Sequence, residues 1–261
     1  MSRRIASSLV IMAVAAAVMS ADPTTGRPTP VLVHRGTNGI EALFLTEQEG
    51  DAHCYAVVDP AAKQAAIVDP GARSGRCMSD WLEARGIEPT FVLITHAHSD
   101  HVGGLEDLLK RTRAVVVTHR VEFERFPSYC RISGKSGPGA YDRRFLFRTD
   151  EQVIEFGRVH LRALLIPGHT LASLAYELIG EDIVFTGDTL LSGSIGRTDL
   201  PGSAGEACLV AYVKAKLMTL NDSTRILPGH GAFTTVGRER ATNPFVGTER
   251  KSRDRDPTET R

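Results

Sequence analysis

Thr95-His96-Ala97-His98-Ser99-Asp100-His101-Val102-Gly103-Gly104 is the stretch that decides the fold. Three imidazoles (His96, His98, His101) and one carboxylate (Asp100) fall within six residues. Nitrogen and oxygen donors of this kind suit zinc, iron or manganese. The residues just before, Thr90 to Ile94, are mostly apolar or β-branched, as expected of a short buried strand. The candidate ligands therefore follow a strand end, where α/β folds gather their functional loops.

Working outward, the same grammar of strand, glycine and ligand recurs downstream. His169 follows Pro167-Gly168, and Asp188 follows Gly187 after the apolar run Asp182 to Thr186. His230 follows Pro228-Gly229 after Thr224 to Leu227. Glycine lets a backbone turn tightly and approach a neighbour closely. The pattern predicts side chains converging on one end of a sheet sandwich. The chain has nine histidines, and a lone histidine is ordinarily a surface or packing residue. His34, His53, His119 and His160 take that role here, with His53 and His119 kept as pocket candidates.

Apolar runs bounded by turn residues predict strands at 31–34, 42–45, 54–58, 65–68, 90–94, 115–118, 152–156, 159–166, 173–178, 182–186 and 224–227. Helices are predicted over Met78 to Arg85, Leu105 to Arg111 and about Glu206 to Leu220. Glu122 to Phe147 breaks the rhythm with Pro127, Gly134, Gly137, Pro138 and Gly139, and reads as a long insertion. One α/β domain over 31–245 is expected, in four layers with helices outside and two mixed sheets inside.

Lys plus Arg equals Asp plus Glu at 31 each, so no net charge draws the chain to nucleic acid or an anionic membrane. The four cysteines form no CxxC pair, which excludes zinc-finger and thioredoxin-like sites. Arg3-Arg4, the apolar run Ile5 to Val18 and the small residues Ser20 and Ala21 read as a signal peptide over 1–21. The expected location is thus periplasmic or secreted, or cytoplasmic if the start is misassigned. Residues 22–30 read as a linker and 246–261 as a disordered tail. No later segment is long and apolar enough to span a bilayer.

These ligand motifs resemble those of the metallo-β-lactamase fold superfamily across about residues 31–245. Further motifs resemble its hydroxyacylglutathione hydrolase (glyoxalase II)-like branch. They are Cys54-Tyr55, Val68-Asp69-Pro70-Gly71, Gly187-Asp188-Thr189-Leu190, Gly193 to Asp199, Pro228-Gly229-His230-Gly231, Thr234 to Gly237, Glu239 and Asn243-Pro244-Phe245. The resemblance implies the four-layer αββα sandwich and two divalent ions, zinc by default, with iron or manganese acceptable. His96, His98 and His169 would hold the first ion, Asp100, His101 and His230 the second, and Asp188 would bridge them. Asp100 and Asp188 would also act in catalysis, around a shared water or hydroxide.

The implied activity is hydrolysis of a thioester such as S-2-hydroxyacylglutathione. The alternatives are another ester or lactone, a persulfide dioxygenase with one iron on His96, His169 and Asp188, or a β-lactamase. Zinc β-lactamases of this fold lack the bridging aspartate, so Asp188 argues against that last reading. Three departures stand out: His53 replaces the branch's usual asparagine, segment 122–147 is long, and the chain ends soon after His230. The last fits a short form without the C-terminal helical domain and leaves glutathione recognition open. Phe126, Tyr129, Arg131, Lys135, Tyr141 and Arg143 are candidate substrate contacts, unless the insertion lies far from the metals. Arg197 is a further candidate, unless it serves only to pair with Asp199. The expected partner is a small molecule, not nucleic acid; the oligomeric state is not legible.

Overall fold

Strands with apolar residues on both faces need cover on both faces, and that requirement organises the whole chain. The computed structural model describes residues 26–45, 50–125 and 144–248. One sheet is seven-stranded, in sequence order: β1 (Val31–Arg35), β2 (Glu41–Leu45), β3 (Cys54–Asp59), β4 (Gln64–Val68), β5 (Glu88–Leu93), β6 (Val115–Thr118) and β7 (Phe145–Phe147). It is antiparallel from β1 to β4 and parallel from β4 to β7. The second sheet is six-stranded. Its strands are β8 (Val153–Phe156), β9 (Val159–Leu165), β10 (Leu174–Leu178), β11 (Ile183–Gly187), β12 (Arg225–Pro228) and β13 (Thr234–Thr235). Only β11 and β12 run parallel.

The period of two along each strand sorts side chains between layers. On β3, Tyr55 and Val57 join Tyr176, Phe185 and Leu227 between the sheets. Their neighbours Cys54, Ala56 and Val58 face outward. There they meet Met78 and Leu82 of α1 (Ser74–Glu83) and Leu105 and Leu108 of α3 (Leu105–Arg111). The short α2 (Ser99–Val102) and α4 (Arg120–Arg125) complete this side. On the far side, Val184 and Ile226 pack on Leu209 and Val213 of α5 (Glu206–Lys216) and Val236 of α6 (Val236–Thr242). Each fully buried aliphatic side chain contributes about 1.5–3 kcal/mol. The layers are therefore held by three apolar seams. At the sheets' far end, Asp59 adds a polar tie. It accepts from the Ala61 and Ala62 N–H groups and from the Arg158 backbone and guanidinium.

The four-layer expectation holds, and the differences have local causes. α1 begins at Ser74, ahead of the expected Met78, because Asp51 caps it from a distance. The Asp51 carboxylate accepts the N–H groups of Ala72, Arg73 and Ser74. α5 ends at Lys216, short of Leu220. Both edges of the expected insertion are regular: Glu122 lies in α4, and β7 pairs with β6. Val246, assigned to the tail, is buried in the outer core beside Val236. The signal-peptide segment lies outside the described residues, as do 22–25 of the linker and 249–261 of the tail. Among the described residues no helix is long and apolar enough to cross a membrane, and Cys54, Cys77 and Cys208 are free thiols.

Candidate metal centre

The seven candidate ligands come from four chain segments that meet at one end of the sandwich. His96, His98, Asp100 and His101 follow β5 into α2. His169 sits between β9 and β10, Asp188 directly after β11, and His230 shortly after β12. Close backbone approach is needed where these segments cross. A Cβ on Gly229 would collide with the Asp188 carboxylate and come within 2.6 Å of His101 Cε1. Gly187 has φ +50°, and a Cβ there would lie 2.7 Å from Thr95 Cβ.

Three ring nitrogens point at a common centre. His96 Nε2 and His98 Nδ1 are 3.0 Å apart, His169 Nε2 and His98 Nδ1 3.1 Å, and His169 Nε2 and His96 Nε2 3.2 Å. Tetrahedral zinc with nitrogen at about 2.0–2.1 Å puts its ligands about 3.3–3.4 Å apart. The triangle is thus close to the size a metal requires. A second cluster is formed by Asp100, His101 and His230. His230 Nε2 lies 3.0 Å and His101 Nε2 3.7 Å from Asp100 Oδ2.

Asp188 spans the two. Its Oδ1 is 3.5 Å from His101 Nε2, and its Oδ2 is 3.7 Å from His169 Nε2 and 3.8 Å from His230 Nε2. His101 Nε2 and Asp188 Oδ1 are both buried and make no hydrogen bond among the described residues. Two orphaned buried polar atoms facing each other would be costly without a partner. A cation between them satisfies both, so the donor set fits two metal ions.

The supporting groups engage the outward nitrogens, so the inward ones face the centre. His101 Nδ1–H donates to Asp69 Oδ2 at 2.9 Å. Asp69 also accepts from the Thr95 N–H at 2.8 Å and the Thr95 hydroxyl at 2.7 Å. His96 Nδ1–H donates to that hydroxyl at 3.1 Å, and His169 Nδ1–H to the Arg197 carbonyl at 2.7 Å. Such partners fix the tautomer that presents a lone pair to a metal. Asp69 itself is a non-glycine residue with φ +49°, a strained conformation that recurs at functional sites.

Electrostatics divide the histidines. Burial pushes His96 and His98 below the ordinary histidine pKa, so both stand neutral. Burial also opposes a charge on His101, yet Asp69 and Asp188 on either side raise it well above the ordinary value. The Asp100 hydrogen bond raises His230. Burial works against the Asp188 charge, but His101 beside it holds that carboxyl well below the usual range. The protons held at His101 and His230 are those that a bound cation would displace.

All seven predicted ligands are thus brought together. Arg197 makes the pairing with Asp199 that is its other reading in the sequence. Its exposed side chain pairs bidentately with Asp199, while its backbone carbonyl anchors His169. Phe126, Tyr129, Arg131, Lys135, Tyr141 and Arg143 lie outside the described residues. His53 is buried beside the centre, its Nε2–H donating to the Gly231 carbonyl at 2.8 Å in the loop after His230. Asp69 and Thr95 were assigned no role from sequence. The signal available was Asp69's place in Val68-Asp69-Pro70-Gly71.

The family model for the metallo-beta-lactamase superfamily matches residues 48–230. The hydroxyacylglutathione hydrolase GloC of Haemophilus influenzae is 32% identical, over 72% of this chain and 89% of its own. A solved structure described as TTHA1623 in a di-iron-bound form is 31% identical with a TM-score of 0.56, covering 83% of this chain and 98% of that one. The BLEG-1 B3 metallo-beta-lactamase structure is 28% identical with a TM-score of 0.60, over 81% and 96% of the two chains. With this architecture and two paired ligand clusters, the chain belongs to the metallo-β-lactamase superfamily and is a metal-dependent hydrolase.

Proposed function

We propose that the chain hydrolyses a thioester of the S-2-hydroxyacylglutathione kind. The single observation that carries this reading is Asp188, whose two oxygens face both ligand clusters. In this proposal His96, His98 and His169 hold one divalent ion, Asp100, His101 and His230 the other, and Asp188 both. Bound there, the ions would lower the pKa of a water and polarise a substrate carbonyl.

The chain's own groups do the rest. Asp188 fixes the separation of the two clusters. Asp69, Thr95 and the Arg197 carbonyl hold three imidazoles in the receptive tautomer. Asp100 borders the centre on the open side, with a partly exposed carboxylate able to orient a polar reactant. A thiolate leaving group needs little help, since a free thiol has a pKa of about 8.5. Cleavage of a thioester therefore asks less of the site than cleavage of an amide. The likeness to a hydroxyacylglutathione hydrolase supports the same substrate class.

Zinc is the proposed default, and the di-iron form of a similar protein supports iron as well. The second reading is a hydrolase of another ester, a lactone or a β-lactam, favoured by the likeness to a β-lactamase structure. The test is kcat/KM for S-lactoylglutathione against an acyl-homoserine lactone and a cephalosporin, at equal metal loading. The thioester should lead by at least tenfold. A lactone or β-lactam in the lead would transfer the proposal to that substrate. Oxygen uptake with glutathione persulfide and no hydrolysis would replace it with an iron dioxygenase.

A further inference from the structure

Glu122 is a buried acid that the chemistry above does not use. It is 1% exposed and sits in α4, beyond β6. Its two carboxylate oxygens reach two different loops. Oε2 accepts the backbone N–H of Ala97 at 3.2 Å, and Oε1 accepts that of Ala172 at 3.2 Å. Ala97 lies between His96 and His98. Ala172 lies in the turn after His169, one residue before Ser173, whose carbonyl accepts the Ile166 N–H. Both alanines are buried, so neither N–H has water as an alternative partner; the Ala172 N–H also reaches the Thr170 hydroxyl at a longer 3.4 Å.

We infer that Glu122 is a positioning residue for the first metal cluster. One carboxylate clamps the loop bearing His96 and His98 to the loop bearing His169. These loops come from different sheets, the first after β5 and the second between β9 and β10. The inter-sheet core fixes the sheets to each other but does not fix loop tips beyond the strand ends. Backbone and side-chain ties nearby, the Leu174 N–H to the Thr95 carbonyl at 2.8 Å and the Tyr176 hydroxyl to the Ile94 carbonyl at 2.9 Å, stand before the ligands begin. Glu122 supplies the tie at the level of the imidazoles. Hydrogen bonds to a charged acceptor are about twice as strong as neutral ones, and two of them on one carboxylate resist both separation and sliding. The inference rests on the two-cluster reading of the centre.

The experiment uses the full chain with Glu122→Gln. Glutamine keeps the volume and one acceptor, but turns an NH2 donor towards the other N–H. Two quantities are read. One is the affinity for the more tightly held zinc, by competition with a chromophoric chelator. The other is amide exchange at Ala97 and Ala172 in the metal-free protein, by NMR. The expected result is metal binding weakened about tenfold or more, the scale for groups that orient ligands, with faster exchange at one or both alanines. Glu122→Asp, which keeps the charge but shortens the reach, gives the same two readouts if glutamine prevents folding. Val58→Ala, in the outer core of the seven-stranded sheet, controls for general destabilisation and should leave both quantities unchanged. Wild-type affinity and wild-type protection in the Glu122 variant would overturn the inference. Failure of the unaltered protein to bind zinc at all would instead overturn the metal reading on which it rests.

Discussion

Replacing Asp69 by asparagine should disable one metal position while leaving the backbone in place. Asparagine tolerates the left-handed conformation that Asp69 adopts at φ +49°, so the substitution acts through the side chain. One contact survives, the Thr95 N–H to Oδ1 at 2.8 Å. The other oxygen becomes an NH2 group facing two donors, the Thr95 hydroxyl at 2.7 Å and His101 Nδ1–H at 2.9 Å. The imidazole escapes this clash by shifting its proton to Nε2. That proton then points at the centre, where Asp188 Oδ1 waits 3.5 Å away. A metal binds there only by driving that proton back to Nδ1, against the new NH2 group. Loss of an orienting partner typically weakens metal affinity by about 10–100-fold, which is about 1.4–2.7 kcal/mol. Chelator competition should show this loss at one of two metal equivalents, and nitrogen NMR should show the changed His101 tautomer. Two metals bound within about twofold of the unaltered protein would refute the claim that Asp69 sets the His101 tautomer.

Gly229→Ala should cost more than tenfold in kcat/KM, because its Cβ would displace Asp188 and His101 together; thermal melts and metal analysis separate this from unfolding. Arg197→Ala should leave metal content unchanged, since His169 is held by the backbone carbonyl of that residue; a rise in KM alone would give the side chain a substrate role. Asp59→Asn tests the tie at the opposite end. The Arg158 guanidinium holds the Asp59 carboxyl well below the usual range, so its stabilisation is fully present above the unfolded pKa of about 4 and fades as pH falls further. The variant should lose on the order of 2 kcal/mol at neutral pH, Arg158 being half-exposed, and the gap from the parent should narrow in acid. Denaturant melts between pH 7 and 3 measure it.

How much could be read from the chain follows from the range of each interaction. The seven candidate ligands were legible because metal donors are few in type and stand just past recognisable strands. The strand and helix order was legible for the same local reason, as with Val115–Thr118 and Leu105–Arg111. Contacts made across the fold were not. Asp51 starts α1 from beyond the β3–β4 hairpin, and Glu122 serves Ala97 and Ala172, which lie on opposite sides of it in sequence. Arg197 stands out by its place in the Gly193 to Asp199 motif, yet acts on the centre through its carbonyl, a group every residue carries. β7 and β13 are too short to leave a periodic trace, and only pairing with a neighbour makes them strands.

Two ligand clusters that share Asp188 should hold two metals. Metal content per chain, by elemental analysis of protein purified without added metal and again after loading, tests it most directly. About two equivalents are expected after loading, falling towards one when His230 is replaced by alanine. A single equivalent in the loaded parent, unchanged by His230→Ala, would contradict it.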